Sequence, residues 1–185
     1  ILFIHGFPFD YTLWESQINH LKKDYYCIAY DVRGLGDSYV GDGQYTMEAY
    51  VDDAFSIVHE MNLDRPVLCG LSMGGYVALR TAERDPLRFR GLILCNTKAD
   101  ADDNNAKIKR AKQIDSINVK GLNRFIDEFI PQCFASKTID KNRTLVEKTI
   151  TASKKHIPKG VKGAIFAIMS RTDTTEFLKN CQIPS

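Results

Sequence analysis

The sequence predicts an α/β protein, with a mostly parallel sheet flanked by helices in its first half and helices alone in its second. Residues 1–97 alternate short apolar runs with amphipathic helical patterns, an order typical of parallel strands joined by right-handed crossovers. A glycine-rich turn at residues 70–75 separates one apolar run from the helical pattern that follows. After Asn96 apolar residues recur only at helical spacing, so no further strand is predicted.

Four strands and three helices are predicted within residues 1–97. The strands correspond to the apolar runs at residues 1–4, 26–30, 66–69 and 92–95. Such short continuous runs are typical of strands that are buried on both faces. The first helix carries Trp14 and Leu21 on one face, the second begins at its N-cap Thr46, and the third covers residues 76–83.

Residues 98–175 are predicted to be purely helical, and residues 176–185 to return toward the sheet. The four apolar stripes of the helical segment begin at Ile108, Leu122, Leu145 and Val161. Prolines and small polar residues separate these stripes. Because the chain opens inside an apolar run and closes where a new element is about to begin, we expect a fragment that lacks both termini.

The composition indicates a folded domain, since 44% of the 185 residues are hydrophobic and 26% are charged. No apolar run approaches the roughly 20 residues that span a bilayer, so no membrane protein is expected. Residues 1–97 carry a net charge of −5 and residues 98–185 a net charge of +7. The lysines lie among apolar helical positions without interleaved aromatic residues, which favours a solvated surface over a nucleic-acid-binding face.

The cysteines indicate a cytoplasmic protein. They are five in number, far apart and without CxxC spacing: Cys27, Cys69, Cys95, Cys133 and Cys181. This pattern is typical of reduced core thiols and not of a disulfide framework or a zinc site. No metal and no organic cofactor is expected, because no residues have the spacing of metal ligands or of a cofactor motif.

The strongest chemical signal is the sequence Gly70-Leu71-Ser72-Met73-Gly74-Gly75, placed directly between a buried strand and a helix. This setting is the one that a G-x-S-x-G nucleophile elbow requires. The sharp turn strains the backbone of the serine, and Gly70 and Gly74 leave out the Cβ atoms that would clash in it. The alternative, an ordinary serine in a glycine-rich turn, does not need this strand–turn–helix order.

A second signal is His5-Gly6-Phe7-Pro8, at the end of the first strand. An acyl-transfer enzyme stabilises its oxyanion with two backbone N–H groups, one from the residue after the nucleophile and one from an upstream loop. Met73 and Phe7 occupy these positions, and Gly6 lets the loop backbone approach the substrate. Alone the segment is merely a Gly-Pro turn, whereas together with Ser72 it predicts an oxyanion hole.

In combination these motifs resemble the α/β-hydrolase superfamily along essentially the whole chain. Further matching pieces are Trp14, the turn at residues 31–38 and the helical segment after Asn96, which is similar to the helical cap domain of that family. The motifs H-G-F-P and G-L-S-M-G-G are most similar to those of the 3-oxoadipate enol-lactonase/carboxylesterase-like branch. Since haloalkane dehalogenases and epoxide hydrolases of this fold use an aspartate nucleophile, Ser72 argues against both.

The resemblance implies a catalytic acid and then a histidine further along the chain. Both are expected beyond Ser185, and residues 1–185 alone are expected to be inactive. Among the histidines that are present, His5 is predicted to order its own loop and His20 and His59 to lie on the surface. His156, just before Pro158, is predicted to lie at a solvated helix end, the alternative being a base that reaches the site if the cap folds over it.

Three aspartates follow the fourth strand, where some members of the superfamily place the acid: Asp100, Asp102 and Asp103. Capping of the next helix is the preferred interpretation. Asp31 and Arg33 are predicted to order their own turn. The sequence does not decide whether five apolar side chains of the predicted cap belong to the core or line a pocket: Phe125, Phe129, Phe134, Phe166 and Met169.

The predicted function is a serine hydrolase that cleaves a small ester, lactone or thioester through an acyl-enzyme on Ser72. Perhydrolysis or haloperoxidase-type acyl transfer is a variant of the same chemistry. A binding module of the same fold that lacks the catalytic base is the alternative from another class. The only partner expected is a small acyl substrate, and the lysine-rich cap raises the hypothesis that this substrate is anionic.

Overall fold

A four-stranded, fully parallel sheet forms the centre of the computed structural model, which describes residues 1–185. The strands are β1 (Leu2–Ile4), β2 (Ile28–Tyr30), β3 (Val67–Leu71) and β4 (Gly91–Cys95). They lie in the order β2-β1-β3-β4, with Ile4 of β1 opposite both Tyr30 and Gly70. Because all four strands run in parallel, the loops that carry the glycine-rich motifs emerge together at the carboxyl edge.

Helices cover both faces of this sheet, and they are α1 (Glu15–Leu21), α2 (Met47–Glu60) and α3 (Met73–Arg84). Two short 3₁₀ helices, Tyr11–Trp14 and Pro86–Arg88, precede α1 and follow α3. The predicted cap of α2 is confirmed, since Thr46 Oγ1 accepts the backbone N–H of Ala49 over 3.2 Å. The third helix begins at Met73 instead of residue 76, because its two glycines are helical.

The second half of the chain is helical throughout, as predicted. Its helices are α4 (Asn104–Lys120), α5 (Leu122–Phe129), α6 (Ser136–Lys141), α7 (Arg143–Ser153), α8 (Pro158–Met169) and α9 (Thr175–Asn180), with a 3₁₀ helix at Ile130–Cys133. The stripe predicted on α4 is wrong in one respect, because Ile108 is exposed and only Ile117 is buried there. The short helix α9 was not predicted. None of the helices is long and apolar enough to cross a membrane.

One hydrophobic core of thirty buried residues joins the two halves. Helix α8 packs against both α2 and α4, and Val161, Ile165 and Ile168 lie in the same cluster as Met47 of α2. The opposite face of the sheet is covered by a smaller cluster of Phe3, Trp14 and Cys69. The helical half therefore rests on the sheet through shared apolar contacts, which hold it above the carboxyl edge.

Residues after α9 return to the sheet. The backbone N–H of Leu92 donates to the carbonyl oxygen of Pro184 over 2.8 Å, so the last residues run along the outer edge of β4. The division into a core (1–97), a cap (98–175) and a returning segment (176–185) stays a prediction.

Candidate active site

Ser72 lies between the end of β3 and the start of α3 with a strained backbone, at φ 51° and ψ −111°. A positive φ is uncommon for a residue other than glycine and persists only where the surroundings enforce it. Here the Ser72 N–H donates to the carbonyl of Cys95 over 2.9 Å, and the Ser72 carbonyl accepts the Thr97 hydroxyl over 2.8 Å. The last residue of β4 and the segment just after it thus hold the two peptide units on either side of the Ser72 Cα.

The glycines around Ser72 permit contacts that no side chain could accommodate. A Cβ on Gly74 would lie 2.0 Å from the carbonyl oxygen of Ile4, and one on Gly70 would lie 2.3 Å from that of Gly74. On the upstream loop the fit is less strict, since a Cβ on Gly6 would lie 3.1 Å from the carbonyl oxygen of Leu71 and at an ordinary contact distance of 3.5 Å from the Cβ of Ser72. These contacts press the upstream loop, the turn and the first turn of α3 against one another.

Two backbone N–H groups beside Ser72 have no acceptor within the protein, namely those of Phe7 and Met73. Met73 is the first residue of α3, where the leading N–H groups are unpaired and the helix dipole is positive. Phe7 follows Gly6 in the upstream loop, residues 5–8, which is named the oxyanion loop after the role predicted for it from the sequence. Unpaired backbone N–H groups of this kind can donate hydrogen bonds to an oxyanion.

His5 is fully buried beneath this loop, and both of its ring nitrogens are used. Nδ1 donates to the carbonyl of Gly6 over 2.9 Å, and Nε2 accepts the backbone N–H of Val32 over 2.9 Å. Burial lowers the pKa of the His5 ring. The histidine therefore orders its loop as expected, while His20 and His59 are exposed on α1 and α2.

The prediction for His156 is wrong, because this residue is only 6% exposed and not at a solvated helix end. It lies between α7 and α8, where Nε2 is 3.0 Å from the carbonyl oxygen of Pro8 and Nδ1 accepts the Gly36 N–H over 3.1 Å. Burial also lowers the pKa of this ring. The helical half packs closely enough on the sheet half to enclose the side chain, which sequence spacing does not reveal.

The aspartates after β4 have three different roles. Asp103 caps α4 by accepting the Ala106 N–H over 2.7 Å, as preferred from the sequence. Asp102 departs from that interpretation, because it is buried in an ion pair with Arg171, Nη1 to Oδ1 2.6 Å. Asp100 is exposed and pairs with Lys98 over 2.8 Å.

Of the two residues predicted to order the turn after β2, Asp31 does so and Arg33 does not. Asp31 accepts the backbone N–H groups of Tyr11 and Asp37, each over 2.8 Å, and so orders the turn. Arg33 instead points to helix α2, where its Nε donates to Asp53 over 2.9 Å. A sequence alone does not show that an acidic residue of α2 lies within reach of this arginine.

A cavity of about 610 Å³ opens above Ser72, between the carboxyl edge of the sheet and helices α5 and α7. Phe7 and Leu71 line its floor beside the serine. The apolar wall consists of Phe9, Phe129, Phe134 and Leu145, whereas the polar wall includes Asp10, Thr12, Glu15, Ser16, Gln17 and Lys148. Among the apolar residues that the sequence does not assign to core or pocket, Phe129 and Phe134 line the cavity. Phe166 lies outside it and is 48% exposed.

Sequence reasoning missed the polar wall of the cavity. Lys148 Nζ of α7 lies 3.7 Å from Glu15 Oε2 of α1, so this ion pair connects the helical half with the sheet half. Only Lys148 of the many cap lysines lines the cavity, where two carboxylates accompany it. No sequence motif marks these residues, because the packing of α7 over α1 brings them together.

The side chains hold no group of three or more His, Cys, Asp or Glu residues that could bind a metal ion. All five cysteines are free thiols. Not all of them lie in the core as expected, since Cys133 is exposed at the cavity and only Cys69 is buried. No histidine lines the cavity.

Residues 1–156 match the family described as alpha/beta hydrolase fold, and the chain belongs to this family. It is 28% identical over 185 residues to 3-oxoadipate enol-lactonase 1 of Acinetobacter baylyi, and the match covers 100% of this chain and 68% of that protein. This confirms the resemblance to the superfamily and to its enol-lactonase and esterase branch.

Solved structures agree with this assignment. A thermophilic esterase from Thermogutta terrifontis, solved with malate bound, is 35% identical with a TM-score of 0.93, covering 99% of this chain and 68% of that one. An enol-lactonase from Burkholderia xenovorans LB400 shares the fold at 23% identity and a TM-score of 0.88, covering 99% and 69%. The chain thus spans about two thirds of the length of these proteins.

Proposed function

We propose that this chain supplies the nucleophile and the oxyanion hole of a serine hydrolase for small esters, lactones or thioesters. The observation that carries the proposal is the strained Ser72 on the cavity floor with two unpartnered backbone N–H groups, those of Phe7 and Met73, in the segments packed around it. Strain of this kind is maintained where it serves a site.

In the proposed reaction, Ser72 Oγ attacks the acyl carbonyl carbon while a base takes the hydroxyl proton. The oxygen of the tetrahedral intermediate accepts hydrogen bonds from the N–H groups of Phe7 and Met73. Collapse breaks the bond to the leaving group, which takes up the proton, and water then hydrolyses the acyl-enzyme. Each oxyanion donor contributes on the order of 10²- to 10³-fold to kcat.

The base and its acid partner are proposed to lie beyond Ser185. His5 and His156 each use both ring nitrogens on backbone groups, and His20 and His59 are exposed away from the cavity. In the family order a carboxylate and then a histidine follow the nucleophile. A G-x-x-D turn and a later G-x-x-H sequence in the rest of the polypeptide are the expected carriers.

The cavity favours a small substrate with one apolar and one polar end. Its volume of about 610 Å³ lies in the range of small-molecule sites, and Ser72 sits between the aromatic wall and the polar wall. The names of the relatives, an enol-lactonase and an esterase, agree with such substrates. A strongly anionic substrate is not favoured, because Asp10 and Glu15 outnumber the single lysine of the lining.

A non-catalytic binding module is the second candidate, and the absence of a histidine from the cavity lining favours it. Hydrolysis of p-nitrophenyl acetate and of a small lactone by the natural polypeptide that contains these residues separates the two functions. Ser72→Ala is expected to abolish turnover, while Ser16→Ala, in the same cavity but outside the turn, is expected to retain it. A polypeptide that binds the ester without turnover would be a binding module.

Hydrogen peroxide as a second acyl acceptor distinguishes a perhydrolase from an esterase. If the acyl-enzyme transfers its acyl group to hydrogen peroxide, peracid forms in the same Ser72-dependent manner. A perhydrolase is expected to give peracid at a rate comparable to hydrolysis, whereas an esterase gives carboxylate almost alone.

A further inference from the structure

Each of the two residues that flank Phe7 has its carbonyl oxygen held by a buried histidine. His5 Nδ1 lies 2.9 Å from the Gly6 carbonyl oxygen, and His156 Nε2 lies 3.0 Å from that of Pro8. The Gly6 carbonyl shares a peptide unit with the Phe7 N–H, so His5 holds that unit directly. The Pro8 carbonyl shares a peptide unit with the Phe9 N–H, which donates to the Gly6 carbonyl over 3.0 Å, so His156 holds the Phe7 unit through this second peptide. His5 belongs to the loop itself, whereas His156 comes from the cap, 148 residues later in the chain than Pro8.

The hydrogen bonds assign a tautomer to each ring. The Gly36 N–H donates to His156 Nδ1, which must be unprotonated, so Nε2 carries the proton and donates it to Pro8. For His5 the assignment is reversed, because the Val32 N–H donates to Nε2 and Nδ1 carries the proton. Both rings are neutral and each connects the oxyanion loop to the same turn, residues 32–36.

We propose that His156 is a positioning residue that sets the oxyanion loop from the cap, by holding the Pro8 carbonyl and with it the direction of the Phe7 N–H. This inference rests on the proposed function and names the part of the cap on which that function depends. His156 touches neither Ser72 nor the cavity, so it acts only through the loop.

The position of His156 makes the oxyanion loop sensitive to cap placement. The residue lies in the connection between α7, which ends at Ser153, and α8, which begins at Pro158. Ser153 lines the cavity and its carbonyl accepts the His156 N–H over 3.3 Å. Seating of the cap over the substrate and alignment of the Phe7 N–H are therefore coupled through one side chain.

A matched pair of substitutions separates the two hydrogen bonds of the ring. In His156→Gln the side-chain amide nitrogen occupies the place of Nε2 and can still donate to Pro8, while the acceptor for Gly36 is lost. In His156→Asn the amide oxygen occupies the place of Nδ1 and can accept from Gly36, while the donor to Pro8 is lost. Each variant removes one hydrogen bond, so their losses of stability are expected to be similar.

The kinetic test uses p-nitrophenyl acetate and the natural polypeptide that contains these residues. His156→Asn is expected to lower kcat by about tenfold to hundredfold with little change in KM, since the loss of a whole oxyanion donor costs 10²- to 10³-fold. His156→Gln is expected to stay within about threefold of the unsubstituted protein. His20→Asn, on the exposed face of α1, serves as the control for histidine replacement.

Nuclear magnetic resonance tests the same inference without turnover. Long-range ¹H–¹⁵N spectra are expected to show His156 protonated at Nε2 and His5 at Nδ1, and the Phe7 amide resonance is expected to move in His156→Asn but not in His156→Gln. A Phe7 resonance that is the same in both variants, or equal kcat losses in both, would overturn the inference. If Ser72 proves inert while Phe7 still responds only to His156→Asn, the proposed function fails and the positioning role stands.

Discussion

Asp102 and Arg171 form an ion pair in which Arg171 Nη1 lies 2.6 Å from Asp102 Oδ1, and both side chains are almost fully buried. Arg171 also donates through Nε and Nη2 to the carbonyl of Asp100, over 3.1 and 2.9 Å, and its guanidinium lies over the ring of Tyr76. The pair therefore connects the segment that leads into α4 with the segment that follows α8, which lie at the two ends of the run of helices α4 to α8.

Replacement of Asp102 is expected to destabilise the protein strongly. Asp102→Asn leaves the Arg171 guanidinium buried without its negative partner, a change that typically costs about 3–5 kcal/mol in the free energy of unfolding. Urea denaturation followed by circular dichroism measures this loss. The turnover of the remaining folded protein is expected to be nearly unchanged, because Asp102 is paired structurally and does not line the cavity.

Glu147→Ala is the matched control for this experiment. Glu147 pairs with Arg143 on the exposed face of α7, and such surface pairs contribute about 0.5 kcal/mol or less. Equal stability losses in the two variants would contradict the structural role of the buried pair. A loss of turnover without a loss of stability in Asp102→Asn would instead make Asp102 the catalytic acid.

Acid is expected to destabilise the fold through His5 and His156. Burial lowers the pKa of both rings in the folded protein, so the unfolded chain binds protons first as the pH falls below 6.5. Asp10 and Asp31 oppose this shift for both rings, whereas the neighbouring His156 lowers the pKa of His5 further. Stability is thus fully present above pH 6.5 and falls with the pH below it, by at most about 1.4 kcal/mol per pH unit for each histidine.

Thermal unfolding between pH 7 and pH 5 measures this dependence. His156→Gln is expected to remove about half of the slope, since one of the two buried rings no longer titrates, while His20→Asn leaves it unchanged. A slope that is the same in His156→Gln and in the unsubstituted protein would contradict the assignment of His156 as a buried neutral ring.

The aromatic wall of the cavity is expected to set the length of the acyl group. Phe134→Ala removes a ring from the lining, so the ratio of kcat/KM for p-nitrophenyl hexanoate over acetate is expected to rise by about tenfold, the value of roughly two buried methylene groups. Phe166→Ala, on the exposed side of α8, is the control. An unchanged ratio in Phe134→Ala would place the acyl group elsewhere in the cavity.

Local patterns predicted the frame of the site. The apolar runs and the turn at Ser72 are determined by short-range chemistry, since a buried parallel strand and a strained turn each demand particular residue types over four to six positions. The order of strand, turn and helix therefore placed Ser72, Met73 and the oxyanion loop at one edge of the sheet. The structure differs mainly in element ends, such as the start of α3 at Met73.

Contacts between distant segments were beyond these patterns. Burial of His156, the Asp102–Arg171 pair and the Glu15–Lys148 pair all depend on how the helical half packs on the sheet half. The partners are separated by 69 residues or more in sequence. Polar residues on amphipathic helices look alike whether they face solvent or a neighbouring helix. Only the three-dimensional packing shows which of them are buried.

An intact-mass spectrum of the natural polypeptide before and after a fluorophosphonate probe shows whether Ser72 is an activated nucleophile. One covalent adduct is expected, present in the unsubstituted protein and in Ser16→Ala, and absent in Ser72→Ala. An adduct that persists in Ser72→Ala, or no adduct on a folded protein whose sequence includes the expected histidine, would contradict the assignment of Ser72 as an activated nucleophile.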